Sequence, residues 1–221
     1  MLNLAVFDLD GTIVDSQDMI VAGMHTASEV HGRVKPEARS VRRVVGLPLL
    51  EVMEQLFPEA DATEVVSLTE TYKQTIIDMR ARGEEHEPLF PGAEQALDAL
   101  DQQGWLLGIA TGKPMRGLVN TMKPYGLLER FVTLQTADRG PGKPNPDMLL
   151  RAMSETGADK SQTIMIGDTT YDMEMAYNAG ARAIGVAWGY HEIDELKDAG
   201  AQVVVQSFAE LPSVLDGMLE K

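Results

Sequence analysis

The chain has 221 residues, with 34 acidic and 19 basic side chains, a formal charge of −15 and no cysteine. Apolar residues make up 44% and charged residues 24%, the balance of an ordinary globular protein and too apolar for a disordered tail. The acidic surplus argues against nucleic acid and against anionic membrane surfaces, both of which are met with Lys and Arg. The missing cysteines exclude thiolate nucleophiles, disulfides and Cys-based zinc sites.

The first apolar run, Leu2 to Leu9, reads as a buried strand. Asp8 and Asp10 break it too early for a signal peptide, and no later run reaches the length of a membrane span. A soluble, cytoplasmic protein is the expectation. From about Gln17 to Pro88 no good strand run occurs. Leu49, Leu50, Val52, Met53 and Leu56 repeat with helical spacing, as do Val65, Val66, Leu68, Thr69 and Tyr72, with breaks at Gly46-Leu47-Pro48 and Phe57-Pro58. This stretch reads as an all-helical insert. Strand and helix patterns then alternate. The strand runs are Leu106 to Ala110, Phe131 to Leu134, Thr163 to Ile166, Ala183 to Ala187 and Val203 to Val205. Ala96, Leu97 and Leu100 mark one helical face after Pro91-Gly92, and Met148, Leu149 and Ala152 another after Pro146. The expected fold is α/β, a doubly wound parallel sheet with a Rossmann-like core at residues 1–15 and 89–221 and a helical domain inserted at 16–88.

The chemistry falls at strand ends. Asp8-Leu9-Asp10-Gly11-Thr12 closes the first strand, where open α/β sheets bind ligands. Asp8 and Asp10 share a strand face, so their carboxylates can start out converging, and Gly11 then lets the chain turn away. A plain Asp-Gly turn is the alternative, and the Asp-x-Asp-x-Asp-Gly spacing of a calcium loop is not met. Gly167-Asp168-Thr169-Thr170-Tyr171-Asp172 follows the run Thr163 to Ile166; Asp168 or Thr169 could instead simply cap a helix. Several carboxylates at one sheet edge repel one another unless a divalent cation joins them, and a few hard oxygen ligands suit Mg²⁺. Such a site needs an anionic ligand and positive groups to hold it. Thr111-Gly112, ending a strand before Lys113-Pro114 opens a helix, offers a hydroxyl and free N–H groups. Lys143, in Gly142-Lys143-Pro144, is a second candidate, although alone it reads as a surface lysine; the segment is not a P-loop.

Asp8-Leu9-Asp10-Gly11-Thr12, Thr111-Gly112, Lys143 and Gly167-Asp168…Asp172, in that order and spacing, resemble the haloacid dehalogenase-like hydrolase superfamily across nearly the whole chain. The insert matches the mobile cap of that family. Phe7 to Ser16, Arg43 to Pro48 and Phe90-Pro91-Gly92 are most similar to its phosphoglycolate phosphatase group. The resemblance implies Asp8 as nucleophile, forming an aspartyl-phosphate, and Asp10 as the acid that protonates the leaving oxygen and then activates water. It implies Mg²⁺ on the Asp8 carboxylate, the Asp10 carbonyl and Asp168, with Asp172 acting through water or Lys143. Thr111, Gly112 and Lys143 would hold the phosphoryl oxygens.

An acid at position 10 distinguishes the phosphoester branches from the dehalogenase and phosphonate-cleaving ones, which lack or replace it. The expected partner is a small phosphorylated metabolite, 2-phosphoglycolate first, with a pyrophosphatase as an alternative. A β-phosphoglucomutase-like sugar phosphomutase is the other alternative, disfavoured because Met19, Ile20 and Val21 stand where that branch has a histidine. Arg43 is a candidate to meet a substrate carboxylate or second phosphate, or else a solvated helix charge beside Arg39 and Arg42. His31, His86 and His191 show no metal spacing and read as structural or exposed. A monomer or homodimer is expected.

Overall fold

A computed structural model describes residues 2–219. All six apolar runs form strands: β1 (Leu4–Phe7), β2 (Leu106–Thr111), β3 (Phe131–Thr136), β4 (Thr163–Gly167), β5 (Arg182–Val186) and β6 (Val203–Val205). They make one parallel sheet in the order β3-β2-β1-β4-β5-β6. On β1, Leu4 lies opposite Leu106 and Thr163, and Phe7 opposite Ile109 and Ile166.

The strands are nearly continuous in apolar residues because both faces of the sheet are covered. Ala5 and Phe7 join the core beneath α5 (Ala93–Gln102), α6 (Met115–Met122) and α10 (Leu211–Leu219). Leu4 and Val6 join the opposite core beneath α7 (Asp147–Thr156), α8 (Thr170–Ala179) and α9 (Ile193–Asp198). The strand order reverses at β1, which has β2 on one side and β4 on the other. That switch point opens a crevice beyond the carboxyl ends of the strands.

Between β1 and α5 the chain forms α1 (Gln17–Val30), α2 (Ala38–Val44), α3 (Leu49–Leu56) and α4 (Ala62–Ala81). These helices share their own core, including Ile20, Met24, Val41, Met53 and Leu68. Asp61 starts α4 by accepting the Glu64 N–H at 2.9 Å. Leu50 and Val66 lie exposed, because helical spacing gives the inner face to Val52 and Met53 on α3 and to Val65, Leu68 and Thr69 on α4. The chain leaves and re-enters the sheet region through a paired neck. Val14 bridges to Leu89 in antiparallel fashion, and the Asp15 N–H donates to the Pro88 carbonyl at 2.8 Å. Among the described residues, no helix is long and apolar enough to cross a membrane.

Candidate active site

The β1 ladder runs one residue past the strand, with the Asp8 N–H donating to the Ile166 carbonyl at 2.9 Å. The chain then winds around the Leu9 carbonyl, which accepts the N–H groups of Thr12, Ile13 and Val14 at 3.3, 2.9 and 3.0 Å. This turn needs Gly11: its φ is 79°, and a Cβ there would lie 2.3 Å from Asp168 Oδ2. Asp8 is therefore held at the end of the central strand while Asp10 is carried around the turn.

Carboxylate oxygens of Asp8, Asp168 and Asp172, all buried, lie within 4.8 Å of one another. Lys143 is fully buried beside them, with Nζ 2.8 Å from Asp8 Oδ1 and 2.7 Å from Asp172 Oδ1; the angles make these ion pairs rather than well-directed hydrogen bonds. Thr12 Oγ1 and the Tyr190 N–H donate to the two oxygens of Asp168 at 2.8 and 2.9 Å. Thr169 caps α8 and Asp172 completes the capping box, its Oδ2 accepting the Thr169 N–H and Oγ1 at 3.1 and 2.7 Å. The capping alternative thus holds for Thr169, and Asp172 serves both the cap and Lys143. Asp8 Oδ1 takes the Leu9 N–H at 2.6 Å as well as Lys143, whereas Asp8 Oδ2 has no partner.

Three carboxylates and one ammonium leave a formal charge of −2 on this cluster. Burial is the main cause of an Asp8 pKa pushed up to about 7, against the pull of Lys143 and with a further push from Asp172. Asp168 is raised well above the carboxylate range by burial, then by Asp8 and Asp172. Burial by itself would favour neutral Lys143, but Asp172 and Asp8 outweigh it and hold the ammonium charged. An unpartnered buried carboxylate oxygen within an oxygen-only, doubly negative cluster fits a hard divalent cation.

Asp10 does not join this cluster with its side chain. Its Oδ1 accepts from Ser16 Oγ and from Lys113 Nζ, the latter at 2.6 Å. The turn at Gly11 takes the chain away after Asp10, so the two carboxylates meet different partners. Thr111 is buried at the end of β2, and its Oγ1 accepts the Lys113 N–H at 3.2 Å. Gly112 lies where the insert meets the sheet: a Cβ there would stand 3.0 Å from the Gly46 carbonyl and 3.2 Å from that of Leu47. The loop Gly46-Leu47-Pro48 therefore presses over the strand ends.

The sequence matches the haloacid dehalogenase-like hydrolase family over residues 5–186. The chain belongs to that family. It is 36% identical to the probable phosphatase IndB of Dickeya dadantii, over all of this chain and 96% of that one. It is 32% identical to the N-acetylmuramic acid 6-phosphate phosphatase of Pseudomonas aeruginosa, over 99% of this chain and 96% of the relative. A hydrolase from Pseudomonas syringae has the same fold, with a TM-score of 0.83, 27% identity, and coverage of 97% of this chain and 98% of that one. This haloacid dehalogenase-like protein is a hydrolase acting on phosphate esters.

In this hydrolase Arg43 joins the insert to the sheet domain. Its guanidinium pairs with Glu195 on α9, and its carbonyl accepts from Tyr171 Oη at 3.2 Å and from His191 Nε2 at 3.1 Å. Glu195 is lowered to about 2, chiefly by the hydrogen bond from Arg43. Arg43 also lines a cavity of about 270 Å³ with Arg39, Arg42, Trp188 and Tyr190, a space that Asp8 and Asp10 do not border. His191, without metal spacing, is buried and structural: Nδ1 accepts the Thr170 N–H at 3.2 Å while Nε2 donates to Arg43.

Sequence reasoning missed the partners of Asp10. Lys113 Nζ also lies 3.1 Å from Glu87 Oε1, and Glu87 Oε2 takes Arg80 Nη2 at 2.7 Å and Thr121 Oγ1 at 2.8 Å. Burial alone would lower Lys113, but Asp10 and Glu87 outweigh it and hold it above the ordinary lysine value. Against burial, Lys113 and Arg80 keep Glu87 below its ordinary value. Adjacency of Lys113 to Thr111-Gly112 was the available signal. Glu87 sits in the acidic stretch Glu84 to Glu87, which resembles a solvated loop.

Proposed function

We propose that this haloacid dehalogenase-like hydrolase is a Mg²⁺-dependent phosphatase of small-metabolite phosphomonoesters, with 2-phosphoglycolate the leading substrate. The single observation that carries this reading is the buried group of Asp8, Asp168, Asp172 and Lys143, in which one carboxylate oxygen of Asp8, Oδ2, has no partner. Asp8 Oδ2 attacks phosphorus as the bond to the leaving oxygen breaks, and Asp10 delivers a proton to that oxygen. Asp10 then takes a proton from water, whose oxygen attacks the aspartyl-phosphate and returns Asp8 with inorganic phosphate. Lys143, Thr111 Oγ1 and the Gly112 N–H hold the phosphoryl oxygens, work that is mainly positioning and charge neutralisation. The Asp8 and Asp168 carboxylates and the Asp10 carbonyl would hold Mg²⁺, which would supply the positive charge that lets an anionic carboxylate meet an anionic phosphoryl group.

Residues 16–88 form the cap in this reading, and residues 1–15 with 89–221 form the catalytic core. The acid at position 10 supports phosphoester rather than carbon–halogen chemistry. The phosphatase names of the two relatives point the same way, and a cytoplasmic enzyme fits the cysteine-free composition. The test is turnover of p-nitrophenyl phosphate by Asp8→Asn. Activity disappears while the far-UV circular dichroism stays that of the wild type, and EDTA stops the wild type. Activity retained by Asp8→Asn overturns the mechanism.

A further inference from the structure

Between the insert and the strand ends lies a cavity of about 110 Å³, bordered by Asp10, Gly112 and Lys113 on one side and by Met24, Leu47 and Tyr72 among its other walls. It is the size of roughly four waters, enough for a two- or three-carbon acid. Asp10 and Lys113 are the charged side chains on its wall, and the remaining lining is largely apolar. Burial lifts the Tyr72 hydroxyl to about 12, so it stays a neutral donor there. Lys113 keeps only 16% of its side chain exposed and is held between Asp10 and Glu87. Asp10 Oδ1 is held by Lys113 and Ser16, and if Asp10 turns to an ester oxygen above Asp8, Nζ loses that partner. Lys113 is then left with Glu87 alone, which already serves Arg80 and Thr121. A buried ammonium in an apolar cavity calls for another anion at that moment.

We propose that Lys113 receives an anionic group on the leaving alcohol, so that this hydrolase selects small phosphomonoesters carrying a carboxylate or second phosphate close to the ester oxygen. The inference rests on the phosphatase reading above and names the substrate class of the same site. Lys113 is a specificity residue: the anion replaces Asp10 on Nζ and frees Asp10 to face the ester. Glu87 limits the effect, because it competes for the same ammonium.

The test compares kcat/KM for ethyl phosphate and 2-phosphoglycolate, which have the same carbon count and differ by a carboxylate, with ethane-1,2-diol bisphosphate as the phosphate arm. The wild type favours at least one anionic substrate by about 30-fold or more, as expected for one charge pair in a dry site. Lys113→Met brings that ratio to within about threefold, mainly through KM, and Lys113→Arg restores much of it. Glu87→Gln raises the ratio. Calorimetric binding of 2-phosphoglycolate and ethyl phosphate to Asp8→Asn, with and without Lys113→Met, reads the same preference without turnover. A binding preference unchanged by Lys113→Met in a folded variant overturns the inference, as does a wild type that favours neither anionic substrate. Absent turnover of p-nitrophenyl phosphate overturns the phosphatase reading instead, and Lys113-dependent binding of the anion then still supports the assignment of Lys113.

Discussion

Removing divalent metal should make this protein less stable as the pH rises from about 5 to about 8, opposite to the trend set by paired surface carboxylates. Asp8 is the reason. Its carboxyl is raised from 3.8 to about 7, with burial the largest cause, and Asp168 moves the same way. The folded protein keeps a proton on Asp8 that the unfolded chain releases above its ordinary value. Folding therefore binds protons in this window, and stability falls until the pH passes the folded value. At about 1.4 kcal/mol per pKa step, the part of the Asp8 rise that falls between about pH 5 and 8 corresponds to a loss on the order of 3 kcal/mol, or about 8 °C in Tm for a chain of this size. His191 works in the other direction. Burial and Arg43 lower it, so its contribution improves as the pH approaches the ordinary histidine value. Comparing the wild type with Asp8→Asn separates the two, since the variant keeps His191 and loses the Asp8 titration. The assay is thermal unfolding in EDTA across the range, repeated with Mg²⁺. The metal-free wild type loses Tm relative to Asp8→Asn as the pH rises, and Mg²⁺ raises the wild-type Tm more at the alkaline end. A metal-free wild type that gains stability relative to Asp8→Asn on going to higher pH would refute the reasoning.

Lys143→Met leaves Asp8 and Asp172 without their buried counter-charge; about 3–5 kcal/mol of stability is lost in urea titrations, and phosphate release falls to background. Gly11→Ala forces a side chain into a left-handed turn and against Asp168, so Mg²⁺-dependent Tm elevation and kcat fall together. His191→Phe orphans the Thr170 N–H, while the Arg43 carbonyl keeps Tyr171; denaturant unfolding shows a cost of about 1–3 kcal/mol. Glu195→Gln breaks a pair that is more than a third exposed on both sides, and the expected change in stability is under about 1 kcal/mol.

The sheet was legible because its central strands are buried on both faces and are therefore written as nearly unbroken apolar runs; the length of the runs sufficed to find Leu4–Phe7 and Thr163–Gly167. The ends of those runs located Asp8 and Asp168 as well, since a carboxylate that closes a buried strand has few other reasons to be there. Lys143 was ambiguous by itself: nothing in Gly142-Lys143-Pro144 states that the ammonium turns inward between Asp8 and Asp172. Gly11 announced the turn after Asp10, but the partners Asp10 meets beyond it were not legible, because side-chain alternation ends where the backbone stops being extended. Glu87 and Lys113 escaped for a related reason. Their pairing joins the end of the helical insert to the loop after β2, 26 residues apart, and no local pattern records such a contact.

The paired neck at Val14–Leu89 and Asp15–Pro88 has a consequence for how this chain can diversify. The insert enters and leaves through adjacent backbone held together by hydrogen bonds, so its connection to the sheet is nearly a single point. Helices can be lengthened, exchanged or repacked beyond that point while the strand that carries Asp8 keeps its place. The loop that touches Gly112, the contacts of Arg43 with Glu195, Tyr171 and His191, and the carboxylate at position 87 must return to the same spot. The architecture thus behaves as a fixed tool with an interchangeable handle, and new selectivities can be tried without rebuilding the reactive end.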